Sequence, residues 1–256
     1  MEFQERIRRK KGREKIVVLT AYDYQMAKIL DGTGIDLILV GDSVGMVVQG
    51  HSNTKSVTMN DMIYHVKTVA RGAKETPIIG DMPINSCNTV EDALRNAKQF
   101  LEAGAHGVKI EGNRSEVVKA LIDAGIPVMG HVGMLPQMAE TYRVKGKEPE
   151  EAEEIFRDAL NLDELGVFSI VLECMPQSLA KRITENVKAP TIGIGAGKYC
   201  DGQVLVVNDM LGLDESFKPK YVKRYASLNE IIKDAVAKFV EEVSAGNYPD
   251  EKHTYH

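Results

Sequence analysis

The stretch LILVGDSVGMVVQG, Leu37 to Gly50, decides the fold that the sequence predicts. Its first four residues are continuously apolar, which is typical of a strand buried on both faces of a parallel sheet. The strand then runs directly into Asp42 and Ser43. An unpaired carboxylate is costly where water is excluded, so Asp42 needs a partner. The stretch therefore predicts a buried strand with a functional carboxylate at its carboxyl end.

Seven further apolar runs resemble this one, and helical patterns separate most of them. The predicted strands are 15–23, 36–43, 76–83, 107–112, 126–133, 168–175, 189–197 and 203–209. Eight strands with mostly helical crossovers predict an α/β fold, a (β/α)8 TIM barrel. We expect a single catalytic domain over residues 1–256, with an N-terminal helix and a C-terminal helical extension. An open doubly wound sheet is the alternative, and the link between the last two strands is too short for a helix.

Capping patterns indicate where several helices begin and end. The segments Thr58–Asp61 and Thr89–Asp92 have the spacing of N-terminal caps. Gly166 stands where a helix starting near Glu150 would end. Ser227 and Glu230 have the spacing of a capping box for a long helix with apolar residues at i, i+3, i+4 and i+7. The apolar face of that helix would pack on the barrel or on another subunit.

Composition excludes several classes of protein. The formal net charge of −5 argues against a nucleic-acid or anionic-membrane partner. The only dense basic run, RIRRKKGREK over residues 6–15, predicts a solvated N-terminal helix. No apolar run is long enough to span a bilayer, and the first residues lack the apolar core of a signal peptide. Three cysteines without a C-x-x-C pair suit a reducing compartment. We therefore expect a cytoplasmic protein.

Polar side chains recur where the predicted strands end. They are Asp23, Asp42, Ser43, Asp81, Lys109, Glu111, His131, Glu173 and Asp209. In a parallel barrel these ends converge on one face, where barrel enzymes have their active sites. Asp23 and Asp209 could instead cap the helices that follow them. Asp42, Asp81 and Glu111 offer only hard oxygen ligands, which favours Mg²⁺ over Zn²⁺ or a softer metal.

Three other features have two interpretations each. His131 either contacts a substrate or a catalytic base, or is a structural histidine. The run IGIGAG over residues 192–197 either cradles a phosphate or packs closely at the barrel rim. We expect Cys174 to be a small buried residue, because nothing in the sequence marks it as a nucleophile.

Long blocks of the sequence resemble the ketopantoate hydroxymethyltransferase family, in order along nearly the whole chain. They are LTAYDYQMAKILDGTGIDLILVGDSVGMVVQGHSNT, VTMNDMIYHVKTVARGA, GDMP, VKIEG, GHVGMLPQ, SIVLECMP, IGIGAG and DGQVLVVNDMLG. The resemblance implies a (β/α)8 barrel that requires Mg²⁺ and forms a homo-oligomer, commonly a homodecamer. It implies transfer of the one-carbon unit of 5,10-methylenetetrahydrofolate to 3-methyl-2-oxobutanoate. The product would be 2-dehydropantoate, on the route to pantothenate and coenzyme A.

The resemblance also implies roles for individual residues. Asp42, Asp81 and Glu111 match the family's metal positions, and Glu173 matches its catalytic base. The substrate-binding residues that we expect are Asp42, Ser43, Asp81, Lys109 and His131. Two segments depart from the family pattern: GMLPQ stands where GLTPQ is usual, and INSC follows GDMP where an aromatic residue is more usual. Both departures lie near the barrel mouth, so they concern the folate contacts and the lid.

The implied chemistry agrees with these residue types. Removal of the C3 proton of a 2-keto acid needs a stabilised enolate oxygen, which a chelated Mg²⁺ can provide, and a base such as Glu173 on another strand. One alternative is a Mg²⁺-dependent lyase of the phosphoenolpyruvate mutase and isocitrate lyase type, but a K-x-C-G-H motif is absent from the sequence. The other is a non-enzymatic barrel that binds a keto acid, against which the full set of carboxylates with Lys109 argues.

Overall fold

The computed structural model describes residues 2–256, which form two compact units, residues 2–206 and residues 207–256. In the first unit eight parallel strands form a closed barrel in chain order, and the last strand pairs with the first. The strands are β1 (Ile16–Thr20), β2 (Leu37–Val40), β3 (Ile78–Asp81), β4 (Gly107–Glu111), β5 (Val128–Gly133), β6 (Ser169–Glu173), β7 (Thr191–Ile194) and β8 (Gly202–Leu205). The predicted (β/α)8 barrel is confirmed, and the open sheet is wrong. The single domain over the whole chain stays a prediction.

Helices connect most of the strands. The first unit contains α1 (Phe3–Lys10), α2 (Tyr24–Leu30), α3 (Val44–Val47), α4 (Met59–Gly72), α5 (Val90–Glu102), α6 (Ser115–Asp123), α7 (Pro149–Leu165) and α8 (Gln177–Asn186). The second unit contains α9 (Val207–Leu211) and α10 (Leu228–Ser244), so the predicted C-terminal helix is confirmed. The link between β7 and β8 holds no helix, as its length predicted.

Apolar side chains fill the barrel interior, and α1 contributes to the same core. The buried cluster comprises Ile7, Ile16, Val18, Leu37, Leu39, Ile79, Met129, Phe168, Val171, Ile192 and Val204. Phe3, one turn before Ile7, packs edge-to-face on Phe168 with ring centroids 5.3 Å apart. The observed strands are shorter than predicted, but Asp81, Glu111 and Glu173 remain the last paired residues of β3, β4 and β6.

The predicted N-terminal helix is confirmed as α1, and its arginines are exposed to solvent, but one face of the helix is buried. Ile7 is fully buried, and Lys10 Nζ lies 2.6 Å from Asp36 Oδ1. Lys11 Nζ, just past the end of α1, donates to Asp201 Oδ2 at 2.9 Å. The helix is amphipathic, because Phe3 and Ile7 are spaced at i and i+4 and share one face. The many basic residues around them made this apolar face hard to see in the sequence.

Most of the predicted caps are confirmed. Thr58 and Asp61 form a complete capping box, and Thr89 accepts from the backbone N–H of Asp92. Gly166 ends α7 in the left-handed conformation at φ 95°. The capping box predicted at Ser227 is wrong, because Ser227 makes no side-chain cap and has ψ 64° rather than an extended backbone.

The second unit has a largely exposed apolar helix face. No side chain of α10 is buried, and Phe239 and Val240 are 54% and 55% exposed. Within residues 2–256 no helix is both long enough and apolar enough to span a membrane.

Asp201 generates a prediction about stability. Its carboxylate accepts from Lys11, from the backbone of Thr191 at 2.9 Å and from the backbone of Gly12 at 3.2 Å. Burial raises the pKa of Asp201, but these hydrogen bonds outweigh it and hold that pKa below 3.8. Asp201→Asn should therefore lower the free energy of unfolding at pH 7 by roughly 1.5–3 kcal/mol, the range for hydrogen bonds to a charged group.

The sign of the pH dependence follows from the lowered pKa. The charge of Asp201 stabilises the fold above its ordinary pKa of 3.8, and this contribution is lost as the pH falls below that value. Urea unfolding at pH 7 and well below pH 3.8 measures the difference between wild type and variant, which should shrink in acid. Asp123→Asn, which removes an exposed ion pair with Lys119, is the matched control. An equal loss of unfolding free energy at both pH values would show that the effect comes from the altered shape of the side chain and not from its lost charge.

Candidate functional site

Six ionisable side chains meet at the carboxyl ends of β2 to β6 and are called here the strand-end cluster. They are Asp42, Asp81, Lys109, Glu111, His131 and Glu173. The parallel register sets their order, because Asp81 is paired with Lys109, Glu111 with His131, and Gly133 with Glu173. Five of them are buried, whereas the Glu173 side chain is 16% exposed. The predicted site residues therefore lie together, and Ser43 follows Asp42 at the start of α3.

Lys109 lies among the carboxylates of this cluster. Its Nζ is 2.9 Å from both oxygens of Asp81 and 3.7 Å from Glu111 Oε1. Burial lowers the pKa of Lys109, but the surrounding carboxylates outweigh it and raise that pKa above its ordinary value. Lys109 is therefore cationic at neutral pH.

Asp42 is the carboxyl group of the cluster whose ionisation is least favoured. Its backbone N–H donates to Asp81 Oδ2 at 3.2 Å. Burial, and then the charge of Asp81, raise the pKa of Asp42 well above its usual range. Asp42, Asp81 and Glu111 face one lysine, so an additional cation near Asp42 would be stabilised.

His131 connects the two ends of the cluster. Its Nε2 lies 3.2 Å from Glu173 Oε2, and its Nδ1 lies 3.6 Å from Glu111 Oε1. Burial and the charge of Lys109 lower the pKa of His131, but Glu111 and Glu173 raise it to about 9. A protonated His131 therefore attracts both carboxylates by charge, although neither ring nitrogen makes a hydrogen bond of good geometry.

The donor atoms of the cluster fit a hard divalent cation. Glu111 Oε1 is buried and accepts no hydrogen bond. No three acidic, His or Cys side chains within residues 2–256 form a ready-made metal cage. Mg²⁺ does not need such a cage, because it binds through one or two carboxylates and completes its octahedron with water and substrate oxygens. The all-oxygen set of Asp42, Asp81 and Glu111 therefore suits Mg²⁺.

Two neutral residues of the site were missed by the sequence analysis. Gln137 is buried, and its side-chain amide donates to Asp42 Oδ2 at 2.9 Å. The hydroxyl of Tyr22, at the end of β1, lies 2.7 Å from Ser43 Oγ. Apart from Ser43, the predicted site residues were all ionisable residues at the strand ends. In the sequence, Tyr22 could have been found as the neighbour of Asp23, a predicted strand-end residue. Gln137 was indicated only by its position in the GMLPQ segment.

The other candidates at the strand ends have structural explanations. Asp23 caps α2 by accepting from the backbone N–H of Met26 at 2.9 Å. Asp209 lies in the first turn of α9, so both the strand-end and the cap interpretations of it are wrong. Burial, and then the charge of Glu173, raise the pKa of the Cys174 thiol to about 12, which disfavours a nucleophilic thiolate.

The glycine-rich run and the INSC segment are both closely packed. A Cβ on Gly193 would lie 2.9 Å from Cys200 Sγ, and a Cβ on Gly197 would collide with Gln177. These contacts favour rim packing over a phosphate cradle as the reason for the glycines. In INSC, the backbone carbonyl of Ser86 accepts from Asn96 Nδ2 at 2.6 Å.

Comparison with known proteins identifies relatives over nearly the whole chain. The family model described as ketopantoate hydroxymethyltransferase matches residues 2–251. A 3-methyl-2-oxobutanoate hydroxymethyltransferase of Syntrophus aciditrophicus is 52% identical over 254 residues, which cover 96% of this chain and 93% of that protein. One from Caldicellulosiruptor saccharolyticus is also 52% identical and covers 97% and 96%.

Solved structures share the fold at much lower identity. A phosphoenolpyruvate phosphomutase from Streptomyces platensis subsp. rosaceus superposes with a TM-score of 0.65 at 12% identity, covering 100% of this chain and 92% of the other. A 2,3-dimethylmalate lyase superposes with a TM-score of 0.61 at 14% identity, covering 100% and 92%. At such identity the similarity shows the fold alone, and it does not support the lyase alternative.

Lys109 generates a prediction about the charge balance of the cluster. Lys109→Met removes an ammonium that faces three buried carboxylates, so we expect a loss of about 3–5 kcal/mol in the free energy of unfolding. Excess Mg²⁺ should restore part of it. Lys119→Met breaks an exposed pair with Asp123 and should cost at most about 1 kcal/mol. Urea unfolding with and without Mg²⁺ measures both variants. Equal losses of unfolding free energy in the two variants would contradict the view that Lys109→Met leaves uncompensated negative charge at the site.

Proposed function

The chain belongs to the ketopantoate hydroxymethyltransferase family, and from this premise we propose how its strand-end cluster works. Its activity is the transfer of a hydroxymethyl group to 3-methyl-2-oxobutanoate, a step of pantothenate biosynthesis. We propose 5,10-methylenetetrahydrofolate as the donor and Mg²⁺ as the metal. The observation that carries the metal is the group of three buried carboxylates around one lysine, with Glu111 Oε1 lacking a hydrogen bond.

Asp42, Asp81 and Glu111 would hold Mg²⁺, with water and the keto acid filling the remaining positions. When bound, the metal would supply Lewis-acid stabilisation of the enolate oxygen that develops on the keto acid. Both carboxylate oxygens of Asp81 accept from Lys109, which limits their remaining capacity to bind the cation.

Lys109 and Ser43 would bind and orient the keto acid, with Asp42, Asp81 and His131 beside it. The Lys109 ammonium is a point charge suited to the substrate carboxylate. The Ser43 hydroxyl lies against the Tyr22 hydroxyl, which fixes its direction. Together these two side chains would orient C3 of the substrate toward β6.

Glu173 would act as the general base. It is the one carboxylate of the cluster that is partly exposed, and its Oε2 lies 3.2 Å from the Nε2 of His131. The C3–H bond of the keto acid breaks, the proton passes to Glu173, and the electron pair forms the enolate. Water adds to the one-carbon unit of the folate and both of its C–N bonds break, so that tetrahydrofolate leaves with the two protons of water and the carbon is left at the level of formaldehyde. The enolate C3 then bonds to that carbon as its C=O bond becomes C–O, and the oxygen takes the proton from Glu173 to become the hydroxyl group.

We also propose a cytoplasmic location, which is supported by the three free thiols Cys87, Cys174 and Cys200.

The test of this function is proton exchange without folate. Wild-type protein with Mg²⁺ should exchange the C3 proton of 3-methyl-2-oxobutanoate with D₂O, and EDTA-stripped protein should not. Glu173→Gln should retain keto-acid binding and lose about 10²–10⁴-fold in exchange and turnover, the usual contribution of a general base. Proton NMR follows the exchange. Glu164→Gln, an exposed change on α7, should behave as wild type.

Each failure of this test has a distinct meaning. Full turnover in Glu173→Gln would remove Glu173 from the mechanism and leave His131 as the next base. Loss of both metal and substrate binding would reassign Glu173 as a ligand. Exchange by EDTA-stripped wild type would exclude the metal.

Assembly gives a separate prediction. The exposed apolar face of α10 and the family resemblance support a homo-oligomer, and we propose a homodecamer. Light scattering should find a particle several times the 28.3 kDa chain. Val236→Glu and Val240→Glu should dissociate it, whereas Lys238→Glu, on the same helix, should not. A stable wild-type monomer at micromolar concentration would contradict this assembly.

A further inference from the structure

Gln137 makes three hydrogen bonds to the strand-end cluster and its surroundings. It lies in the loop between β5 and α7 and is 6% exposed. Its side-chain nitrogen donates to Asp42 Oδ2 and to the backbone carbonyl of Met82, both at 2.9 Å. Its backbone N–H donates to Glu111 Oε2 at 3.1 Å. One loop residue therefore contacts two of the three carboxylates that would hold the cation.

The chemistry of these contacts requires an amide. The side chain of Gln137 has two N–H donors, and its two acceptors are the Asp42 carboxylate and the Met82 carbonyl. A carboxylate at this position would meet two acceptors with no proton to share, and an apolar side chain would leave both buried oxygens without this donor. The hydrogen bond to Asp42 is charge-assisted and therefore stronger than one between neutral groups.

The contacts also determine which oxygen of Glu111 accepts a hydrogen bond and which does not. In Glu111, the backbone of Gln137 occupies Oε2, whereas Oε1 is buried without a hydrogen bond. The two nearest cations stay beyond hydrogen-bond distance of Oε1, at 3.7 Å for Lys109 and 3.6 Å for His131. Gln137 thus binds Oε2 of Glu111 and leaves Oε1 on the side of Lys109 and His131.

We propose that Gln137 is a positioning residue that holds Asp42 and Glu111 in the orientation in which they bind a divalent cation. This inference rests on the proposed function, since it takes the cation site as its premise. Groups that hydrogen-bond to metal-binding carboxylates orient them, and their loss typically weakens metal binding by roughly 10–100-fold. The β5–α7 loop is consequently a part of the cation site, although none of its side chains is a proposed ligand.

The test measures cation binding directly, without turnover. Mn²⁺ is the probe, and electron paramagnetic resonance of the free ion gives its affinity for the EDTA-stripped full chain. Gln137→Met keeps the length and the backbone N–H but removes the side-chain donors, so Mn²⁺ affinity should fall by about 10–100-fold. Gln137→Ala removes the same donors with less bulk and should fall in the same range. Gln99→Met, on the exposed face of α5, is the matched control and should bind as wild type.

Thermal unfolding without cation separates positioning from a merely structural role. A lower melting temperature with unchanged Mn²⁺ affinity in Gln137→Met would overturn the inference, as would an equal loss of affinity in Gln99→Met. If either Gln137 variant fails to fold, the other decides. Wild-type protein that binds no Mn²⁺ would overturn the proposed metal site itself, and that result is seen before any variant is made.

Discussion

The concentration of carboxylates in a buried site is the constraint on which the rest of this structure depends. Asp42, Asp81 and Glu111 lie where water is largely excluded, and their mutual repulsion is offset by Lys109 and His131. Such an arrangement persists only if the surrounding structure holds it, because each charge would be better solvated outside. The closed barrel provides this, since neighbouring parallel strands fix the positions of the charged residues relative to one another.

The register of the strands places side chains of opposite charge next to each other. Asp81 is aligned with Lys109 on the next strand, and Glu111 is aligned with His131 on the strand after that. Asp81 and Glu111 therefore each have a basic residue directly beside them on the next strand. At the opposite end of the barrel, α1 packs Phe3 and Ile7 into the core, and its basic residues pair with acids such as Asp36. The amino-terminal end of the barrel is thus stabilised by packing and ion pairs, whereas the carboxyl-terminal end carries the cluster to which we assign the chemistry.

The sequence predicted the features that depend on periodicity and charge. Strands such as LILV are buried on both faces and therefore read as continuous apolar runs, and a parallel barrel necessarily brings their ends together. The family resemblance added roles that no spacing could assign. The features that escaped prediction depend on exact backbone geometry or on neutral contacts. Ser227 has the right spacing but the wrong dihedral angles for a cap, and Gln137 reaches Asp42 across 95 residues of sequence.

Burial distinguishes the three carboxylates that we propose as cation ligands from the one that we propose as the base. A cation ligand benefits from a dry environment, because the attraction between the carboxylate and the metal is stronger at low dielectric. A general base must instead reach the substrate and exchange its proton with solvent between turnovers. Asp42, Asp81 and Glu111 meet the first requirement, being at most 6% exposed, and Glu173 meets the second with its side chain 16% exposed. His131 lies beside both Glu111 and Glu173, so the charge of the proposed ligand set and the charge of the proposed base are coupled through one imidazole.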